Sequence, residues 1–441
     1  MRIVYVLMKI LLFQALRIFY SKRVLVNSPK EIWGSTIYVS NHASAFMDPL
    51  VVAGFSRPSV HFMVRSDVFS KFTKPLFWAA QMLPIYRQQD GKGNNEKNEQ
   101  VFEECARLLS KKRNLLIFGE GFTDDVFIRR LKPIKKGAIR IGFITLENTN
   151  WSKKVYLAAV GCNYSDPNRL LSELVISYSD KICLNDYQKE FEANPNKVIA
   201  ELTTKLELLM RAQITDNRDA ELAPVHENIM SLTRKGMHPI CSDKAIPLKA
   251  RWKYSQQLAQ WLNSAERDAA KIETINNQIE QYKTDVEKTG IEEDTIYWKK
   301  TNINGSRMKE LLKMFLLSPL ALLGVIHCGI PYIQTKKIAE KIMKRKVFWG
   351  SVKLFVGEWF IAIFNIILLV IIYNLVDING WYFVAYFFSI GFWGVAAYTW
   401  LRTYKTFRTK GKANKLDLAQ IISKRDELTN NLSTFLAKEF R

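Results

Sequence analysis

The sequence predicts an α/β domain with a central mixed sheet flanked by helices, followed by a helical arm and C-terminal transmembrane helices. The sheet is predicted because short apolar, strand-like runs alternate with amphipathic helical stretches from Gly34 to about Asn185. The membrane part is predicted because most of the longest apolar runs come after Leu311.

The composition of the 441-residue chain narrows the class of partner. A net charge of +22 indicates an anionic partner, such as nucleic acid, an anionic membrane surface or a phosphorylated substrate. No nucleic-acid motif is recognisable and the basic residues cluster beside apolar segments, so a nucleic-acid partner is not expected. The five cysteines have no CxxC or CxxxC spacing, which predicts a reducing compartment without a disulfide framework or metal site.

The first predicted element is an N-terminal interfacial membrane helix within residues 1–30. Lys9 and Arg17 interrupt its apolar run and no small-residue cleavage site follows, which argues against a secretory signal. Basic side chains that reach out of an apolar face are typical of a helix lying in a membrane interface. A buried first helix of the following domain is the alternative.

The α/β domain is predicted for residues 31–194, and a helical or coiled-coil arm for residues 195–310. Predicted strands cover 35–40, 60–65, 114–119, 155–160 and 174–178, and predicted helices cover 69–83 and 97–112. The arm is charged and has apolar residues spaced at three and four, so it is expected to be a structural arm or a partner surface.

Three apolar segments, 315–333, 354–376 and 381–401, approach the length needed to cross a bilayer. The last two are predicted to form a transmembrane hairpin over 354–401. Basic residues in 334–353 and in the tail, 402–441, predict that both lie in the cytoplasm. A third crossing would place the N-terminal domain outside, so 311–333 is predicted to be re-entrant or interfacial.

The stretch "NHASAFMDP" contains the first candidate site residues, His42 and Asp48. An imidazole can take a proton from an alcohol and return it to a leaving group, and a carboxylate on its other nitrogen fixes the tautomer. Residues six apart meet only if His42 lies in a turn and Asp48 at a helix start, a geometry that Pro49 favours. Asp48 acting only as a helix N-cap is the alternative.

Two further stretches offer groups for binding. In "LLIFGEGFTDD", Gly119 and Gly121 permit a sharp turn and close approach to a ligand, and Glu120 and Thr123 can bond to hydroxyl groups; a plain turn is the alternative. In "LPIYRQQDG" and "LKPIKKGAIRI", the cations suit phosphate or are solvated surface; they are Arg87, Lys135, Lys136 and Arg140.

In order and spacing these stretches resemble the motifs of the glycerolipid acyltransferase family, which includes glycerol-3-phosphate and lysophosphatidate acyltransferases. "NHASAFMDP" resembles its His–Asp motif, "LPIYR" its arginine motif and "FGEG" its Phe-Pro-Glu-Gly motif, while "AAVGCNY" stands where the family has a Val-Pro strand. The similarity covers about 35–190, and the C-terminal membrane extension resembles a subgroup with fungal glycerol-3-phosphate acyltransferases and bacterial relatives.

The resemblance implies roles for the site residues. His42 would deprotonate an acceptor hydroxyl that attacks an acyl thioester of coenzyme A or acyl carrier protein, and Asp48 would orient His42. The residues expected to bind glycerol phosphate or a lysophospholipid are Arg87, Glu120, Gly121, Thr123, Lys135 and Lys136. No cofactor, metal or covalent acyl-enzyme is implied.

This sequence departs from the family pattern at several positions. Five residues separate His42 from Asp48 where four are usual, Gly119 replaces a proline, Phe122 stands where threonine or a small residue is common, and Asp124 adds a negative charge. A different lysolipid or hydroxylated lipid as acceptor, or an inactive membrane scaffold, are therefore the alternatives. The expected location is the membrane, a bacterial inner membrane with the N-terminal domain facing the cytoplasm.

Overall fold

The computed structural model describes residues 2–71, 73–86, 94–265, 267–302, 306–376 and 379–439. The chain divides into two compact units. The first unit consists of Met1–Ala223 and Ile246–Gln260, and the second consists of Pro224–Ala245 and Trp261–Arg441.

The elements follow one another in an order typical of an α/β domain and then of a helical protein. The strands are β1 (Tyr20–Val26), β2 (Thr36–Ser40), β3 (Val60–Arg65), β4 (Met82–Ile85), β5 (Asn114–Phe118), β6 (Tyr156–Tyr164), β7 (Ser172–Tyr178) and β8 (Ile182–Cys183). The helices are α1 (Arg2–Phe19), α2 (Met47–Phe55), α3 (Lys74–Ala79), α4 (Asn94–Ser110), α5 (Gly137–Asn148), α6 (Gln188–Ala193), α7 (Pro195–Gln213), α8 (Leu222–Thr233), α9 (Leu248–Leu262), α10 (Ala269–Thr289), α11 (Glu293–Thr301), α12 (Arg307–Ile342), α13 (Trp349–Leu375), α14 (Gly380–Ala413) and α15 (Ala419–Glu439).

The first unit is built on one mixed sheet in the order β1-β7-β6-β2-β5-β3-β4, with β8 paired to β6. Strand β6 is antiparallel to β7 and β8, and the remaining pairs are parallel. The predicted α/β class with a mixed sheet and flanking helices is therefore confirmed, and so is the helical region that follows it.

Strand β2 lies in the middle of the sheet and every one of its residues is buried. Its Ile37 and Val39 belong to a core that includes residues of α4, α5 and α7. Because β2 runs parallel to β5, the last residues of the two strands, Ser40 and Phe118, are directly paired. The chain segments that follow these two strands therefore leave the sheet side by side, at the edge where sites of parallel sheets are built.

Two predicted boundaries are wrong in the first unit. The N-terminal helix ends at Phe19, and Tyr20–Val26 pairs with β7 because its Val-Leu-Val run suits an edge strand. Helix α3 covers only part of the predicted 69–83 helix, since Met82–Ile85 extends the sheet beside β3. The N-terminal helix itself packs Leu16 against α2 and exposes other apolar side chains, so its membrane contact stays a prediction.

The prediction that residues 195–310 form a single arm is wrong, because these residues are divided between the two units. Helix α7 belongs to the first unit because one of its faces enters the core of the sheet. The buried side chains of that face are Val198, Ile199, Leu202, Leu206 and Met210. Tertiary packing of an amphipathic face, which polar composition did not reveal, decides where this helix belongs.

The second unit contains the three apolar helices. By length and composition α12, α13 and α14 are able to cross a membrane. Helix α12 continues through Pro319 and Pro331, and its Gly324 packs so closely on α14 that an added Cβ would lie 2.1 Å from the carbonyl oxygen of Trp393. Whether residues 311–333 cross the membrane or lie in its interface stays a prediction.

Candidate active site

The candidate site begins with the two residues that follow β2. The Asn41 side chain donates to the carbonyl oxygen of Cys162 at 3.1 Å and accepts from the Cys162 backbone N–H at 2.8 Å. These two hydrogen bonds to β6 fix the direction in which the chain leaves the sheet. His42 then stands at the carboxyl end of β2 with a side chain that is 21% exposed.

His42 and Asp48 form the pair that their spacing required. The Nδ1 atom of His42 lies 3.1 Å from Oδ2 of Asp48, whose side chain is fully buried. When Asp48 is ionised it can only accept, so Nδ1 carries the proton and Nε2 remains as the proton acceptor. The pair therefore has the arrangement of a general base with an orienting carboxylate.

The turn between the two residues accommodates the extra residue in the motif. The Met47 N–H donates to the Ser44 carbonyl at 2.9 Å, and Ala45 adopts a positive φ of 45°. The helix cap position is Phe46, so Asp48 is not the N-cap; it instead accepts from the Ser44 N–H at 2.9 Å. The five-residue spacing is thus compatible with a formed His–Asp pair.

Glu120 supports the backbone of His42. Its Oε1 accepts from the His42 N–H at 2.7 Å, and its Oε2 accepts from the ammonium group of Lys132 at 3.2 Å. Burial raises the pKa of Glu120, although the Lys132 charge and the His42 N–H oppose this shift. Both carboxylate oxygens are therefore already engaged, while Phe118 stacks on the imidazole with ring centroids 4.4 Å apart.

Lys132 is a buried site residue that the sequence did not single out. It also donates to the Phe122 carbonyl at 3.2 Å and lies 3.4 Å from Asp124. Asp124 accepts two bonds from Arg130, at 2.6 and 3.1 Å. Burial acts to raise the pKa of Asp124, but the bond from Arg130 and the nearby cations outweigh it and lower that pKa. The extra negative charge of the motif is therefore countered by two cations.

The other residues predicted to bind the acceptor are Lys135, Thr123, Lys136 and Arg87. Lys135 bonds through its N–H to the Gly119 carbonyl at 2.9 Å, and its ammonium lies over Gly121, which has a φ of 74°. Thr123 is buried beside them in sequence, whereas Lys136 is exposed at the cap of α5. Arg87 lies outside the described residues.

Tyr164 at the end of β6 is a second residue that sequence reasoning missed. Its hydroxyl donates to Oδ1 of Asp48 at 2.8 Å, and the side chain is buried. The available signal was the alternation along β6, which puts Tyr164 on the same face as Cys162, the residue that Asn41 binds.

Within the described part of the chain, no cluster of three His, Cys, Asp or Glu side chains is arranged to hold a metal ion.

Comparison with known families identifies the domain that contains these residues. Residues 23–150 match the family model described as Acyltransferase. Residues 23–150 therefore form an acyltransferase-family domain. The match includes the His–Asp pair and Glu120, and it confirms the family expected from the glycerolipid acyltransferase motifs.

A solved structure is also similar to this chain. It is the 1-acyl-sn-glycerophosphate (LPA) acyltransferase from Thermotoga maritima, with 14% sequence identity and a TM-score of 0.27, and the match covers 45% of this chain and 79% of that chain. No curated protein matches the sequence of the chain.

Proposed function

We propose that this acyltransferase is a membrane-bound O-acyltransferase of phospholipid biosynthesis. It moves a fatty acyl group from acyl-CoA or acyl carrier protein to a hydroxyl of glycerol 3-phosphate or lysophosphatidate. The observation that carries the proposal is the His42–Asp48 pair, 3.1 Å apart, at the carboxyl end of β2 within an acyltransferase domain.

The pair supports direct transfer without a covalent acyl-enzyme. Nε2 of His42 takes the proton of the acceptor hydroxyl while the hydroxyl oxygen attacks the thioester carbonyl. The buried Asp48 carboxylate stabilises the imidazolium that forms. Collapse of the tetrahedral intermediate breaks the carbon–sulfur bond, and the leaving thiolate receives the proton from His42, giving an ester and a free thiol.

We assign the binding of an anionic acceptor to the cations predicted from the sequence, of which Lys135 and Lys136 are exposed close to the "FGEG" turn in sequence. Lys135 is the best supported because its ammonium lies over Gly121, the residue with the left-handed backbone. Arg87, Lys136 and the hydroxyl of Thr123 complete the proposed set. Glu120 contributes by holding the His42 backbone, since its own oxygens already accept protein donors.

The proposed location is a bacterial inner membrane with the acyltransferase domain in the cytoplasm. Helices α12, α13 and α14 supply the length and apolar composition for membrane insertion. The net charge of +22 favours an anionic membrane surface and an anionic substrate.

Detergent-purified protein tests the proposal. Acyl-CoA and acyl carrier protein are each combined with glycerol 3-phosphate, lysophosphatidate, other lysophospholipids and hydroxylated lipids, and free thiol and acylated product are measured. We expect thiol release that requires an acceptor and is lost in His42→Ala. Product formed only from a different lysolipid replaces the proposed acceptor. Absence of transfer from every donor supports the inactive scaffold, and thiol release without acceptor contradicts direct transfer.

A further inference from the structure

The Tyr164 hydroxyl contacts the carboxylate of Asp48, the partner of the proposed base His42. Its hydroxyl is 2.8 Å from Oδ1 of Asp48 and must be the donor, because an ionised carboxylate can only accept. The tyrosine ring is held by Tyr20 and Phe127, with ring centroids 5.7 and 6.1 Å away. The hydroxyl therefore approaches Asp48 from a rigid, buried position on β6.

We propose that Tyr164 is a positioning residue for the acyl-transfer reaction, acting on His42 through Asp48. This inference rests on the proposed function of the same site. Tyr164 binds one carboxylate oxygen and His42 binds the other, so the two bonds together fix the rotation of the carboxylate. The orientation of the imidazole then follows from the orientation of Asp48.

The hydrogen bonds of Asp48 favour a role for Tyr164 in setting how strongly Asp48 interacts with His42. The fully buried Asp48 carboxylate has three donors: the Tyr164 hydroxyl, the Ser44 N–H and Nδ1 of His42. A buried carboxylate depends on such bonds, and donors that share it compete for its charge. Burial and the Asp48 charge raise the pKa of Tyr164 well above its usual value, so the hydroxyl keeps its proton.

Other titratable groups surround the pair, and one of them, Cys162, also interacts with the Tyr164 side chain. Tyr20 from β1 and Cys162 from β6 face Asp48, and burial raises the pKa of both. Glu120 faces His42 from the end of β5, and burial raises the pKa of this carboxyl as well. Because burial keeps the Tyr20 hydroxyl and the Cys162 thiol protonated, neither gains a charge when the Tyr164 hydroxyl is removed, and a shift in the pH dependence of His42 reports on the interaction of Asp48 with His42.

The first arm of the test measures kinetics of the full-length protein. For Tyr164→Phe we expect kcat to fall about tenfold, as for loss of one hydrogen bond to a charged group, with the KM of donor and acceptor within about twofold of wild type. The acid limb of the pH–rate profile should move to higher pH, because a carboxylate with one donor fewer interacts more strongly with an imidazolium.

Tyr20→Phe is the matched control. It removes a buried tyrosine hydroxyl from the same ring stack, but that hydroxyl donates to the Pro167 carbonyl at 3.4 Å rather than to Asp48. This variant should keep the wild-type kcat and pH profile. An equal effect of Tyr20→Phe and Tyr164→Phe would show that ring packing is responsible, and would overturn the inference.

The second arm does not depend on activity. Diethyl pyrocarbonate modifies neutral imidazole, so the pH dependence of His42 modification, followed by peptide mass spectrometry, should have a higher midpoint in Tyr164→Phe than in wild type. An unchanged midpoint together with an unchanged kcat overturns the inference. If wild type transfers no acyl group, the proposed function fails, and the modification midpoint alone decides whether Tyr164 acts on His42 through Asp48.

A second substitution covers the case in which Tyr164→Phe does not fold. Incorporation of 3-fluorotyrosine in place of Tyr164 keeps the ring and hydroxyl but makes the hydroxyl a stronger donor. The midpoint of His42 modification should then move to lower pH, opposite to the effect of removing the hydroxyl. A midpoint that stays at the wild-type value, or moves upward, contradicts the inference.

Discussion

Lys132 illustrates at the scale of single residues how the site depends on a buried charge pair. Its side chain and that of Glu120 are 6% and 1% exposed, and their charged atoms are 3.2 Å apart. Removing one partner of such a pair leaves the other buried without its counter-charge, which costs about 3 kcal/mol or more. Glu120 in turn holds the backbone of His42.

We therefore expect Lys132→Met to lower the free energy of unfolding by about 3 kcal/mol. Denaturant titration in detergent measures this change. Lys136→Met is the control, since Lys136 is an exposed neighbour and its loss should cost less than about 0.5 kcal/mol. Equal effects of the two substitutions would show that the Lys132–Glu120 pair contributes no specific stability.

The titration of His61 should make the free energy of unfolding depend on pH. Burial, and next the charge of Arg113, lower the pKa of His61 from 6.5 to about 4. Between these values the unfolded chain binds a proton that the folded chain does not, so stability is lost as pH falls through this window. From pH 6.5 to pH 5 the loss from this residue is about 2 kcal/mol.

His61→Gln removes this titration and should flatten the acid side of the stability curve. Unfolding free energies of wild type and variant are compared at pH 7 and pH 5. We expect the wild type to lose about 2 kcal/mol more than the variant over this interval. Parallel losses in both proteins would show that His61 takes up its proton equally in the folded state.

Some site residues were predictable from sequence and others were not, for a physical reason. His42 and Glu120 each follow a strand end within a short motif, and parallel neighbours bring strand ends together. Lys132 reaches Glu120 from 12 residues along the chain, and Tyr164 reaches Asp48 from 116 residues away. Such contacts depend on strand order and side-chain direction, which no local pattern contains.

At the scale of elements, the contact of β6 with α7 explains a glycine in the sheet. A Cβ added to Gly161 would lie 2.1 Å from the carbonyl oxygen of Gln213, the last residue of α7. Because the obstacle is backbone, it cannot rotate away. Gly161→Ala must therefore separate strand and helix, with an expected loss of about 3 kcal/mol.

Gly137→Ala is the matched control for Gly161→Ala. A Cβ at Gly137 would be 3.5 Å from the nearest atom, in the ring of Phe102, which is an ordinary contact. Since Gly137 begins helix α5, alanine there should leave stability equal to wild type or slightly higher. Thermal unfolding of the two variants checks the order; equal melting temperatures would contradict the β6–α7 contact.

Elements with strong local patterns were predicted and those decided by packing were not. Strands β2, β3 and β5 are apolar runs between turn residues, and their positions were predicted within one residue at either end. Strand β1 continues directly from α1 without a turn signal, and its edge pairing with β7 is a long-range contact. Helix α7 looked like part of a polar arm because only one of its faces is apolar.

At the scale of the whole chain, the contact of α12 with α14 limits how many membrane crossings the chain can make between the start of α12 and the end of α14. The guanidinium of Arg307 lies against Gly411 and over the Phe407 ring, and Lys410 is 3.1 Å from Glu310. The start of α12 and the end of α14 therefore lie on the same side of any bilayer. If these helices are inserted in a membrane, an even number of crossings separates the two ends, so we expect two of the three apolar helices to cross and the third not to cross.

Cysteine labelling in intact cells with an impermeant thiol reagent tests this count. Lys309→Cys and Lys415→Cys, both at exposed positions, should react from the same side, and labelling from opposite sides would contradict an even count. Lys341→Cys tests whether α12 is one of the crossing helices. The basic residues around it predict protection from outside, with α13 and α14 crossing; labelling from outside would instead make α12 one of the two crossing helices.

We propose that His42, oriented by Asp48, is the base that drives acyl transfer. The most direct measurement is the initial rate of thiol release from an acyl thioester by wild type and His42→Gln in the same detergent, with melting temperatures compared. We expect a rate at least about 100-fold lower in His42→Gln with an unchanged melting temperature. Equal rates in the two proteins would contradict it.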